Sequence, residues 1–118
     1  MSRYLTDQNA KGHEGEVVIA VIDEPGAGGA NHQYVVSAGK DAQLVRFQNG
    51  PVKEDGLNGL THEALLAILI DRLECFQAGD YPSKYNELAL VACREALFHL
   101  HSRTYDRDNR NVEGTSQQ

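Results

Sequence analysis

Thr61-His62-Glu63-Ala64-Leu65-Leu66-Ala67-Ile68-Leu69-Ile70-Asp71-Arg72-Leu73-Glu74-Cys75-Phe76-Gln77-Ala78-Gly79 is the stretch on which the fold turns. Leu65, Leu66, Leu69, Ile70, Leu73 and Phe76 recur at helical spacing. Thr61 suits the N-cap, Glu63 complements the positive end of the helix dipole, and Gly79 stops the helix. Tyr81-Pro82-Ser83 then restarts helical structure, Pro82 fitting a first helical position. Leu88, Val91, Ala92, Ala96, His99 and Leu100 trace the apolar side of a second, longer helix that runs to about Arg107. With the tight Gly79-Asp80 turn between them, the two helices make an antiparallel αα-hairpin. Leu65, Leu66, Leu69 and Ile70 cover more than one narrow stripe, so the surplus must be buried by a sheet, by another subunit, or by both.

Working outward toward the N-terminus, the pattern changes from helical to β. Val17–Ile22 (VVIAVI), Tyr34–Ser37 (YVVS) and Gln43–Phe47 (QLVRF) read as three short strands, the last two joined by the turn chemistry of Ala38-Gly39-Lys40-Asp41. A meander of three strands is marginal alone and needs a partner surface. Asp23–His32 is a Gly-rich loop, and Asn49-Gly50-Pro51 and Gly56-Leu57-Asn58-Gly59 punctuate the passage to the helices. The expected architecture is α+β: a flexible arm over residues 1–15, a small antiparallel β region over 16–55, and a helical-hairpin domain with a C-terminal tail over 56–118.

Composition narrows the function. The chain has 118 residues, 11 basic against 17 acidic, for a net charge of −6. Gripping nucleic-acid polymer or an anionic membrane calls for a basic surface, so both are disfavoured as partners. No apolar run is long enough to span a bilayer, and Met1-Ser2-Arg3-Tyr4 opens no secretory signal. Cys75 and Cys93 are widely separated and form neither a zinc spacing nor a disulfide framework, and they read as buried thiols.

No catalytic constellation is visible, and neither a metal nor a cofactor is expected. The Gly-rich loop lacks the Lys-Ser/Thr of a phosphate-binding Walker loop and is followed by a strand, so it reads as a long turn needing positive φ. Asn31-His32 within it is placed for ligand or subunit contacts. His99 and His101 lie two apart on a helix and point to different faces, with no ligand set beside them. The arginines say more. Arg103, Arg107 and Arg110 share one helical stripe at i, i+4, i+7. The stripe reads equally as a surface salt-bridged to Asp106 and Asp108 or as an anion-recognition site whose guanidinium forks match phosphate. At the opposite end of the hairpin, Phe76 and Asn86 supply a ring and an amide, which are core and helix-start residues or the minimal kit for holding a base. Asn86 and Arg103 are roughly 25 Å apart along one helix, at about 1.5 Å per residue. One small nucleotide cannot touch both within a chain. A single site using both must lie between two protomers.

Several stretches carry a family resemblance: Gly56–Leu66 (GLNGLTHEALL), Asp71–Gly79 (DRLECFQAG), Asn86–Leu90 (NELAL), Arg103–Arg107 (RTYDR) and Asn111–Thr115 (NVEGT). Together they resemble a phage helical-hairpin domain shared by two groups of immune-evasion proteins. One is the anti-CBASS sponge for cyclic oligonucleotides, which is essentially helical. The other is the first Thoeris anti-defence family, which adds an N-terminal β region and sequesters cyclic ADP-ribose isomers. The strands and the Asp23–His32 loop favour the Thoeris group. The resemblance implies a non-enzymatic sponge in the cytoplasm of the infected bacterial host, assembled as dimers that build hexamers. Some members also bind cyclic di- or trinucleotides at separate sites. By matching positions, Phe76 stacks on the adenine-like base, Asn86 reads its edge, and Arg103 and Arg107 of the neighbouring protomer grip the base face and the diphosphate. A basic residue is also implied in the linker, where Lys53 is the nearest candidate and a weaker fork than arginine. Arg72, Arg110 and Thr115 are the candidates for the separate cyclic di- or trinucleotide sites. The rival readings are a hydrolase of nucleotide signals, drawing on His99, His101 and Asp106, and a protein–protein adaptor using the exposed hairpin face.

Overall fold

The computed structural model describes residues 3–5 and 17–109, and the architecture is α+β. Strands β1 (Arg3–Tyr4), β2 (Val17–Val21), β3 (Gln33–Ala38) and β4 (Asp41–Arg46) form an antiparallel sheet in sequence order. A single helical turn, α1 (Val52–Asp55), follows, and then the two long helices α2 (His62–Ala78) and α3 (Lys84–Asn109). The chain divides into two compact units between Leu60 and Thr61.

In the sheet unit, the alternation of strand side chains puts Val21, Tyr34 and Val45 side by side on one face, as the register pairs Val21 with Tyr34 and Tyr34 with Val45. Val21 is 1% exposed and centres this small core. Tyr34 meets Phe47 edge to face, with ring centroids 5.7 Å apart. The sheet has four strands where the hydrophobic pattern predicts three. Arg3 pairs with Val21 and Tyr4 with Ala20, and two residues are too short a run to show any periodicity. Of the arm expected over residues 1–15, positions 1–2 and 6–15 lie outside the described residues.

The Gly-rich loop is a held turn. Gly28 and Gly29 take φ of 72° and 80°, which only glycine adopts without strain. The His32 N–H donates to Asp23 Oδ2 at 2.9 Å, and its ring Nε2 lies 3.0 Å from the Ala27 carbonyl. Asn31 Nδ2 donates to the Asp23 carbonyl. Burial pushes the Asp23 carboxyl up, but the His32 and Gln33 backbone amides and the Asn31 side chain outweigh it and hold it below the usual carboxylate range. Asn31 and His32 therefore spend their polar groups inside the chain.

Gly56–Leu60 is stitched to the sheet unit. Asn58 accepts from the Asn49 N–H and donates to the Asn49 carbonyl, and Gln48 Oε1 accepts from the Asn58 N–H. Phe47 and Leu60 then form a parallel bridge, with Gln48 N–H donating to the Leu60 carbonyl at 2.8 Å.

In the helical unit, Thr61 Oγ1 accepts the Ala64 N–H at 3.1 Å, which is the expected cap. Pro82 is not the first residue of α3. Ser83 caps that helix, its hydroxyl accepting the Asn86 N–H at 3.0 Å and its carbonyl accepting from Glu87. A capping hydroxyl satisfies an orphan N–H, which proline in its place could not do. Leu90, 3% exposed, is buried in the hairpin, and Glu74 pairs with Arg94 on its surface. Much of the apolar surface stays uncovered in one chain: Leu88 is 64% and Phe98 65% exposed, and Ile68, Leu69, Val91 and Tyr105 are exposed as well. Cys75, expected as a buried thiol, is exposed, while Cys93 is half-buried. Cys75 sits on a flank of α2 that the partner helix leaves bare.

Candidate ligand-binding site

The tip of the hairpin is locked by one side chain. Gln77 Nε2 donates to the Ser83 carbonyl at 3.0 Å, and Gln77 Oε1 accepts the Ser83 N–H at 2.9 Å. This clasp ties the end of α2 to the start of α3 and fixes Phe76 and Asn86 at the same end of the unit. Phe76 is 40% exposed, which is unusual for a ring that could serve only as a core plug. The Arg72 guanidinium lies 5.2 Å from its ring centroid, a cation–π contact one helical turn away. Beside the ring is a cleft of about 240 Å³ lined by Cys75, Phe76, Gly79, Asp80 and Tyr81. Asn86, half-buried, stands at the tip but does not line this cleft.

The cations are elsewhere. Arg103 is exposed and Arg107 half-buried near the far end of α3, and 1.5 Å per residue puts Arg103 about 25 Å from Asn86. Lys53 is exposed on α1, in the sheet unit. Arg110, Thr115 and the Asn111–Thr115 stretch lie outside the described residues. One chain therefore gathers Phe76, Arg72 and the cleft, and holds Arg103 and Arg107 apart from them. Sequence reasoning missed Asp80 and Tyr81 as lining residues. An exposed aromatic next to a helix-stopping glycine was the available signal.

A second cleft, about 210 Å³, lies in the sheet unit, lined by His32, Gln33, Arg46, Phe47, Asn49 and Asn58. Asn58 and His32 there are engaged in the loop bonds described above. Among the described residues no three His, Cys, Asp or Glu side chains are grouped to hold a metal ion, and no helix is long and apolar enough to cross a membrane.

A small antiparallel sheet followed by a clasped two-helix hairpin with an open aromatic cleft defines an α+β protein of the helical-hairpin type. The family model described as Acb2/Tad1, hairpin domain, matches residues 40–105. The chain is also 44% identical over 92 residues to Thoeris anti-defense 1 of Bacillus phage SBSphiJ7, a match covering 76% of this chain and 64% of that relative. The chain belongs to the Thoeris anti-defence family. It spans slightly less than two thirds of that curated relative.

Proposed function

We propose that the protein is a sponge for cyclic nucleotide immune signals, above all cyclic ADP-ribose isomers, which it holds without turnover and so keeps from their effector. Family membership supports the anti-defence role. The observation that carries the mechanism is the separation within one chain: an exposed ring and an amide at one end of the hairpin, and the guanidinium groups of Arg103 and Arg107 about 25 Å and about 31 Å away from the amide. The site is completed by a second copy, Phe76 stacking on the base, Asn86 reading its edge, and Arg103 and Arg107 of the other protomer holding the diphosphate. Lys53 is a further basic contact in this arrangement, and Arg110 and Thr115 are candidates for the separate sites of the second ligand class. Enclosing a diphosphate between subunits requires several charged donors to offset its lost hydration. Uncovered Leu88, Val91 and Phe98 supply the apolar surface for dimers that build a hexamer. Cyclic di- and trinucleotides are a second ligand class at separate sites. The protein works in the cytoplasm of the infected bacterial host.

The test is a calorimetric and thermal-shift panel of cyclic ADP-ribose isomers and cyclic oligonucleotides, with mass spectrometry of the ligand released on denaturation. Sequestration predicts a melting temperature that rises with ligand concentration and recovery of the ligand intact. Recovery of cleaved ligand would make the protein a hydrolase. A melting temperature indifferent to every ligand would favour a protein–protein adaptor.

A further inference from the structure

We propose that α3 carries an outward packing seam that pairs antiparallel with the same seam of a second copy, in a register set by Glu95. This rests on the homo-oligomer of the reading above and supplies one of its contacts. On the inner side of α3, Leu90, Cys93, Leu97, Leu100 and Thr104 are buried or half-buried where the helix packs on α2. On the outer side, Leu88, Val91, Glu95, Phe98, Ser102 and Tyr105 are all exposed, at alternating spacings of three and four residues. That alternation is the a/d repeat of a coiled coil, and Leu88, Val91, Phe98 and Tyr105 make it mostly apolar.

The outer stripe is complementary to itself. Antiparallel coiled helices set an a position of one against a d position of the other. Turned head to tail on a second copy, the stripe matches Leu88 with Tyr105, Val91 with Ser102 and Glu95 with Phe98, each twice about a two-fold axis. Sliding the copies by one heptad leaves two of the six positions without a partner. A parallel pair also matches every position, but it sets Glu95 against the second copy's Glu95 and brings the Arg103 and Arg107 ends together. Like charges then meet at both places, which costs affinity. In the antiparallel pair the Glu95 carboxylate lies beside the Phe98 ring, whose edge is electropositive. A single polar residue in such a seam fixes register at a cost in stability. Asn86 and Arg107 are half-buried and continue the inner spacing, so the seam is a different contact from the one that closes the ligand site. Dimers that build a larger closed assembly need two such contacts.

The experiment is cysteine cross-linking of the full chain without ligand, with the exposed Cys75 replaced by serine. Leu88→Cys and Tyr105→Cys chains of distinguishable mass are co-expressed and treated with oxidised glutathione. A mixed disulfide between the two variants, with little cross-link in either alone, is the expected result. Cross-linking of either variant with itself would mean parallel pairing, and no cross-link at all would remove the seam; both overturn the proposal. Glu95→Leu gives a second measurement. It should lower the dissociation constant of self-association by about tenfold or more in sedimentation, because an apolar residue replaces the charge in the seam. An unchanged constant would overturn the role given to Glu95. No ligand enters either measurement, so the sponge reading can fail in the calorimetric panel while the seam forms, or stand while the seam fails.

Discussion

At Gly59 the fold tolerates no side chain: a Cβ built there would lie 2.4 Å from the Phe47 carbonyl carbon and 2.5 Å from its oxygen. Both atoms are backbone and cannot swing aside, and they belong to the bridge that joins Phe47 to Leu60. Gly59→Ala should therefore lower stability by about 1–3 kcal/mol in chemical denaturation, the usual range for overpacking. Unchanged stability would mean that the bridge is dispensable. Asp23 gives a pH signature of its own. Its folded pKa lies below the usual value, so its contribution to stability is complete above the unfolded pKa of about 3.9 and is lost as pH falls through the depressed folded value. The acid limb of a melting-temperature profile should be shallower in Asp23→Asn than in the parent. Coincident limbs would show that the His32 and Asn31 contacts do not depend on charge.

Among the elements, the clasped tip governs what the helices can present. Ser83 caps α3, so Ser83→Ala should cost about 1 kcal/mol of helix stability, and ligand affinity should drop with it because Asn86 loses its anchor. A stability loss with undiminished affinity would separate the cap from the site. The hairpin itself was legible in the amino-acid order, because a capping threonine, helical spacing from Leu65 to Phe76 and a terminal glycine all agree over 17 residues of α2. Strand β1 and helix α1 were not, since two or four residues carry no measurable period. Ser83 rather than Pro82 opens α3 because only the hydroxyl can satisfy the orphan Asn86 N–H. Asp80 and Tyr81 escaped notice because they come from the turn, where lining a cleft depends on the path of the backbone and not on spacing.

For the whole molecule, the decisive fact is how little one chain buries. Leu88, Val91, Phe98 and Tyr105 lie bare on α3, whose first turn carries Asn86 beside the Phe76 end of α2 and whose far end carries the guanidinium groups of Arg103 and Arg107. That distance could be read from residue numbers once a helix was assumed, whereas the exposure could not, because a hydrophobic spacing does not say which flank a partner covers. The account stands on two copies sharing each site, and subunit mixing tests it directly. Asn86→Ala and Arg103→Ala alter side chains without hydrogen-bond partners among the described residues, so both should fold and assemble. Each variant alone should bind a cyclic ADP-ribose isomer weakly, and exchanging their subunits should restore tight binding at the sites that receive an intact amide from one chain and an intact guanidinium from the other. Failure to recover binding in a mixture whose exchange is verified by mass spectrometry would contradict a shared site.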